Sequence, residues 1–533
     1  MKALLRYVHT VRYMKPGQVY HRLRRYWGLE CRLSVLPSGV MEADKCRPVH
    51  TVRELDFDPV FLARFPVEAL MQDYVCFLHE TERFSWDEKW EFTNRSPLWN
   101  YHLHYFEYGF SLIEAYRKTG ARAYANKLKS IIESWIKWNP QKNGGPGWAP
   151  YTISMRLTNW MSFYTLLSEE WEQDEAFCEQ ITSSIYEQYV YLSRHLEKDI
   201  MGNHYLENLK ALILCSVFFG DDAVLRCSIR VFKEQCKEQI LHDGMHFERS
   251  PMYHKMMLEA VLRTAVALRG AGRPNKEIES YLPVMVDAAY SLEEGLERLP
   301  LFNDCGDNMA KSLQALCLAA ENHFGIVPQS RAQLPDSGYY IFKQGSLKLI
   351  VNAGQPCPPH VSGHAHCDAM SFELFQNGKP LLVNCGTYGY QCEERVFFRS
   401  TAAHNTVMAD DTEQSQCWGV FRLAKRAWVR VIHVDTDGME MSVKDHRGHV
   451  VTRRIVLRDS VLMIEDRCKG HVLKAWMHGW ISNVECVNGT ICCMNHPYAP
   501  SYGLRMIVPA YAITGKDVLR YCVHLEVPEG EDG

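Results

Sequence analysis

The chain has 533 residues, 47% of them hydrophobic and 12% aromatic, which is too long for one ordinary core and predicts two or three domains. Lys and Arg number 59 against 63 Asp and Glu, a formal net charge of −4, which excludes a chain-wide basic field for nucleic acid, so an anionic partner requires a local basic cleft. The 19 cysteines are odd in number and irregularly spaced, which argues against a disulfide framework and for reduced, buried thiols in a reducing compartment.

Residues 1–50 read as a basic amphipathic segment. Charges and aromatics interrupt every apolar run of Met1–Thr10, and no small-residue cleavage site follows, so no secretory signal is expected. No apolar run reaches the roughly 18 residues of a membrane span. The stretch to Trp27 is expected to pack on the protein body; contact with a membrane surface or a partner is the alternative. A cytoplasmic location follows as an expectation, with the periplasm as the alternative.

From Leu98 to Phe324 apolar residues recur at helical spacing. Helices are predicted around Ile131–Trp138, Leu157–Leu167, Ile185–Leu196, Leu206–Phe219, Val224–Ile240, Met256–Leu268, Ile278–Leu296 and Ser312–Glu321. Breakers at Thr119-Gly120, Asn143–Gly147, Gly220–Asp222 and Gly270–Gly272 separate them, as in an array or toroid of antiparallel helix pairs. The period changes at Gln333–Gly338, and beyond it Gly338–Phe342 and Leu347–Val351 read as strands. Asn377-Gly378, Asp437-Gly438 and Asn488-Gly489 carry the hairpin signal. An all-α unit over residues 51–330 followed by an all-β unit over residues 331–533 is predicted.

Two histidines alternate in Gly363-His364-Ala365-His366-Cys367-Asp368, and a third, His404, follows in Arg399-Ser400-Thr401-Ala402-Ala403-His404. Histidine exchanges protons near neutral pH and is the commonest metal ligand. Upstream lie Gly202-Asn203-His204-Tyr205-Leu206-Glu207 and Asp243-Gly244-Met245-His246-Phe247-Glu248-Arg249-Ser250-Pro251-Met252-Tyr253-His254. With Ile153–Leu157 and Phe302-Asn303-Asp304, these segments in this order resemble the heparinase II/III family of polysaccharide lyases, from about Leu98 to Phe421. The resemblance implies an incomplete (α/α) toroid followed by an antiparallel β-sandwich. It also implies a lyase that cleaves a uronate-containing, glycosaminoglycan-like polysaccharide by β-elimination.

That reaction needs a group to neutralise the C5 carboxylate, a base for the C5 proton and an acid for the departing O4. The Asn203 amide donates hydrogen bonds without adding charge, and it stands near a helix start where the backbone favours an anion; an N-cap role is the structural alternative. Tyr253 suits the acid, or the base if Arg249, His254 and the later histidines lower its pKa. The resemblance places Asn203 against the uronate and His364 at the second acid/base position. His204 and Glu207, one turn apart, are expected to line the cleft with Arg156, Glu248, Arg249 and Arg399, and His404 to bind the carboxylate or brace the site. Some members of the family hold a structural metal such as zinc; here His366 and His404 are the candidates, but Asn384 stands where relatives often carry Asp, and Cys385 or Cys367 would have to compensate. A uronyl C5-epimerase shares the proton abstraction, and a non-catalytic glycan-binding or assembly protein is the third reading.

Overall fold

The computed structural model describes residues 2–37, 48–52, 55, 57–88, 90–141 and 144–525, so Asn143 of the expected glycine-rich break lies outside the described residues. Helices fill the first part and strands the second. The α-helices begin where short polar side chains can cap them. Ser96, Asp174, Asp221, Ser250, Asn275 and Ser312 each accept from a backbone N–H in the first turn. Gly120, Gly220 and Gly325 end their helices in the left-handed conformation.

Antiparallel helices pack around one large core that includes Trp99, Trp135, Trp160, Leu209 and Leu258. Deleting one such aromatic side chain typically costs about 3–5 kcal/mol. The helix Gly202–Phe219 is buried nearly all round, so it forms the centre of the toroid and packs on Pro150–Leu166, Asp222–Gln239 and Pro251–Gly270. One hairpin, Tyr74–Phe77 with Glu80–Arg83, lies in this helical half and has no counterpart in the sequence reading. Its turn residues Leu78 and His79 both adopt positive φ without the Gly or Asn that usually marks such a turn.

The second half is a β-sandwich. A five-stranded antiparallel sheet runs in the order Gln333–Leu334, Tyr339–Gln344, Leu347–Asn352, Ser371–Gln376, Lys379–Leu382. It packs on an eight-stranded sheet built around the long strands Val461–His478 and Met506–His524, and the shared core includes Phe342, Leu349, Leu374, Met441, Ile455 and Leu519. Asn377-Gly378 and Asp437-Gly438 join paired neighbours. Asn488-Gly489 does not. Val484–Asn488 and Thr490–Tyr498 both pair with Met506–His524, one after the other along its length. Gly489 is the break between them: a Cβ there would lie 2.5 Å from the Thr514 carbonyl oxygen.

Phe302, Leu292 and Met245 of the helical half pack with Leu334, Tyr339 and Phe375 of the sandwich. The buried pair Arg298–Glu373, 3.1 Å apart, crosses the same seam. Residues 2–37 add two helices, Lys2–Val11 and Pro16–Tyr26, which contact both halves through Thr10–Trp418, Gln18–His360 and Arg25–Asp199. Leu4, Leu5, Tyr26 and Trp27 remain exposed.

Candidate active site

A cleft of about 740 Å³ opens where the two halves meet, lined among others by Asn203, His204, Tyr253, His364 and Tyr390. Two helix starts supply its toroid wall. Ser250 caps the helix that carries Tyr253. The helix Gly202–Phe219 begins after Met201, whose φ of 63° is unusual for a non-glycine residue and marks local strain at the wall. Gly202, with a φ of 57°, adopts the left-handed conformation that favours glycine, and a Cβ there would displace the Glu248 carboxylate, 2.3 Å away. Asn203 sits in the first turn rather than at the cap; its Oδ1 accepts from the His204 N–H at 2.9 Å, and the residue lines the cleft.

Glu248 joins the two walls. Its Oε1 accepts from the Asn203 backbone N–H at 3.0 Å, and its Oε2 lies 3.4 Å from His364 Nε2. The other ring nitrogen of His364, Nδ1, lies 3.0 Å from Asp304 Oδ2. Asp304 is fully buried and also meets Arg395 (Nη2–Oδ2, 2.8 Å) and His366 (Nε2–Oδ1, 2.8 Å). Burial alone would raise the Asp304 pKa; the Arg395 guanidinium and the two imidazoles outweigh it and hold the carboxyl well below its usual range. Carboxylates face both ring nitrogens; Asp304 is the closer, within hydrogen-bond distance of Nδ1, whereas Glu248 stands 3.4 Å from Nε2, so the geometry favours Nδ1 as the donor and Nε2 as the basic nitrogen.

The Tyr253 ring packs on His364, with centroids 3.9 Å apart. Its hydroxyl begins a chain of three: Tyr253 Oη to Tyr390 Oη is 2.6 Å, and Tyr390 Oη to Tyr502 Oη is 2.9 Å. Burial, reinforced by Tyr390 and Asp304, raises the Tyr253 pKa well above 10. The phenol therefore rests protonated and is poised to donate. His204 faces the cleft from the side. Burial pulls its pKa down, but Glu197 Oε1, 3.0 Å from Nδ1, more than reverses this.

Several residues expected in the cleft lie elsewhere. Arg156 is wholly buried, with its guanidinium bound to Gln188 Oε1, the His104 and Gly147 carbonyls and the Trp135 face, so it braces the toroid. Glu207 pairs with Lys210 in the helical core, facing a separate small cavity. Arg249 donates to the Ser337 and Asp336 carbonyls and ties the halves together. Arg399 is buried and donates to the carbonyls of Ala365, Val420 and Arg422. His404 is also fully buried; its Nε2 lies 3.2 Å from His366 Nδ1, so it stands behind His366 and does not reach the cleft. Glu248 is buried at the wall and acts through Asn203 and His364.

The donors at the family-type metal position are already engaged within the protein. His366 Nε2 is engaged by Asp304, and the Asn384 amide oxygen accepts from the Asn405 N–H at 3.0 Å. His366 Nδ1 and His404 Nε2 face each other, but no third His, Cys, Asp or Glu completes the set among the described residues. This donor set does not fit a structural zinc ion.

Asp304, Arg395, Tyr390 and Tyr502 carry much of the geometry without having been assigned roles from sequence. Asp304 lay inside a motif already noted; the other three lie in segments with no periodic or motif signal. The basic wall is similarly hidden. Arg22, Arg25, Arg422 and Arg426 line the cleft. Arg422 stacks on Trp418 and Tyr7, and Arg426 stacks on Tyr13 while donating to the Pro358 carbonyl. Aromatics of the N-terminal helix region thus help to position two of the cleft's cations.

Curated relatives include a heparin-sulfate lyase of Pedobacter heparinus, 26% identical over 61% of this chain and 53% of its own length, and a heparin-sulfate lyase of Bacteroides stercoris, 22% identical over 63% and 57%. The chain spans somewhat over half the length of these relatives. A solved heparinase III structure superposes with a TM-score of 0.70 at 15% identity, covering 96% of this chain and 92% of that one, which shows a common fold. Residues 53–328 match the heparinase II/III N-terminus and residues 327–487 the heparinase II/III-like C-terminal domain, so the chain belongs to the heparinase II/III family.

Proposed function

We propose that this chain is a polysaccharide lyase that cleaves a uronate-containing, glycosaminoglycan-like polysaccharide by β-elimination. The observation that carries this reading is the convergence of Asn203 and Tyr253 from the toroid wall and His364 from the facing wall on one cleft, joined by Glu248 and Asp304. Three curated relatives are named as heparin-sulfate lyases, in agreement with it; a fourth, matched over 39% of this chain, is named FtsZ-localized protein C.

The uronate carboxylate accepts from Asn203 Nδ2, which spreads the charge that develops as C5 is deprotonated. His364 Nε2 takes the C5 proton, and the imidazolium formed is stabilised by Asp304 on Nδ1. The C4–O4 bond breaks as the C4=C5 double bond forms. The Tyr253 hydroxyl donates its proton to O4 and is recharged through Tyr390. Arg422 and Arg426 attract the anionic groups of neighbouring sugars.

The test is a panel of uronate polysaccharides, followed by ultraviolet absorbance of the unsaturated product and by product mass. Elimination yields unsaturated fragments with no added water. Saturated fragments carrying an added water would overturn the reading. Deuterium at C5 of uncleaved substrate in heavy water would instead favour an epimerase.

A further inference from the structure

We propose that Cys385, His478 and His496 form a binding site for a soft divalent metal ion of the zinc class, separate from the catalytic wall and from the His366–His404 pair. The Sγ and two imidazole nitrogens lie within 4.8 Å of one another. His478 Nε2 and His496 Nδ1 are 3.0 Å apart. Two nitrogens on a tetrahedral zinc at its usual bond length are separated by about 3.3 Å, so a small movement of either ring admits the ion.

Separate backbone features converge on the cluster. His478 ends the strand Val461–His478, and His496 lies in Thr490–Tyr498. These strands flank Met506–His524, where His478 pairs with Ala510 and His496 with Val508, two residues apart and on the same face of the sheet. Cys385 is fixed from both sides: its N–H donates to the Ala403 carbonyl at 2.9 Å, and its carbonyl accepts from Ala499 at 2.8 Å. The donor atoms are therefore held by backbone pairing rather than by flexible loops.

The protonation pattern also suits a ligand set. Asn405 Nδ2 donates to the Phe372 carbonyl at 2.8 Å, which orients the amide. Asn405 Oδ1 then accepts from the His478 backbone N–H at 2.8 Å and faces His478 Nδ1 at 3.1 Å. An acceptor at this position favours the proton on His478 Nδ1 and leaves Nε2 facing the cluster, where the Ala402 carbonyl also hydrogen-bonds the His478 and His496 pair. A second-shell carbonyl of this kind commonly orients a metal-bound histidine. Burial lowers the His478 pKa to about 3, so the ring is neutral; burial also raises that of the Cys385 thiol, which opposes thiolate formation and has to be offset by the metal–sulfur bond. Cys385 and His478 are buried, whereas His496 is partly exposed and gives the ion and a fourth ligand, water, a route in. Binding forms the metal–sulfur bond and releases the Cys385 thiol proton to solvent.

The competing arrangement is a plain hydrogen bond from His496 Nδ1–H to His478 Nε2. The experiment titrates the chelator-stripped full-length protein with cobalt(II), then with zinc. We expect about one equivalent of cobalt to bind with a near-ultraviolet thiolate-to-cobalt band and tetrahedral visible absorption, both abolished by zinc. Cys385→Ser should lose the thiolate band, and His366→Ala should keep it. Absence of stoichiometric binding, binding with no thiolate band, a band that survives in Cys385→Ser, or a band lost in folded His366→Ala would each overturn the site. If Cys385→Ser does not fold, Cys522→Ser and His496→Ala decide the question: the band should survive Cys522→Ser, which removes the thiol of the Glu485–Cys522–His524 group, and should be lost or weakened in His496→Ala; the reverse pattern would overturn the site.

Discussion

Asp304 Oδ2 lies 3.0 Å from His364 Nδ1, while Oδ1 of the same carboxylate meets His366 Nε2 at 2.8 Å. One buried anion thus orients the cleft histidine and anchors the histidine behind it, with Arg395 as its counter-charge. Asp304→Asn is expected to lower turnover by at least about 10²-fold with little change in KM, because His364 loses its fixed tautomer and its support for the imidazolium. It should also destabilise the protein by about 3–5 kcal/mol, since Arg395 is left buried without its partner. Steady-state kinetics and urea unfolding check both effects.

Arg422 and Arg426 are held by aromatic rings at the cleft. Arg426→Gln is expected to raise KM about five- to tenfold with kcat little changed, in keeping with the ~1–1.5 kcal/mol of one charge-assisted contact. Because the contact is electrostatic and partly open, the difference between wild type and variant should shrink as salt rises from 0.05 to ~0.5 M.

Arg156 separates a structural from a substrate-binding role. Its three guanidinium hydrogen bonds and its stacking on Trp135 are all internal. Arg156→Met is expected to lower Tm by several degrees and leave the KM of the folded fraction unchanged. A raised KM at unchanged Tm would return Arg156 to the cleft.

Three buried histidines of the toroid predict acid sensitivity. Burial lowers the pKa of His104 to about 3, of His254 to about 4, and of His246 well below its usual value. The unfolded chain binds their protons near pH 6.5, whereas the folded one does not until pH 4 or below. The unfolded state therefore holds more protons in that window, and stability falls as pH drops from about 6.5 to 4. Each histidine contributes at most ~1.4 kcal/mol per pH unit. Unfolding free energies measured across this window should slope accordingly, and a flat profile would show that these rings titrate normally.

The helical and strand halves were legible because apolar spacing changes at Gln333–Gly338, where Leu334 enters the seam between them. The Leu78-His79 hairpin was not, since its turn uses residues without turn chemistry. Asn488-Gly489 misled for the opposite reason: the dipeptide is present, but the chain continues along one partner strand instead of folding back. At the site, the histidines and Asn203 stand out by residue type and motif. Arg156 and Arg399 read as ligands for an anion because sequence shows a charge and not the carbonyls that absorb it. Tyr390, Tyr502 and Arg395 act through contacts formed only in the fold.

The central claim is that this cleft removes the C5 proton of a uronate while Tyr253 protonates the leaving oxygen. It is tested most directly by comparing wild type with Tyr253→Phe on a uronate polysaccharide that the wild type degrades. The substitution removes one hydroxyl, and the ring remains packed on His364. The account predicts that wild type releases unsaturated fragments and that Tyr253→Phe does so about 10²–10⁴-fold more slowly, with substrate affinity and Tm nearly unchanged. Unsaturated product formed by Tyr253→Phe at the wild-type rate would contradict it.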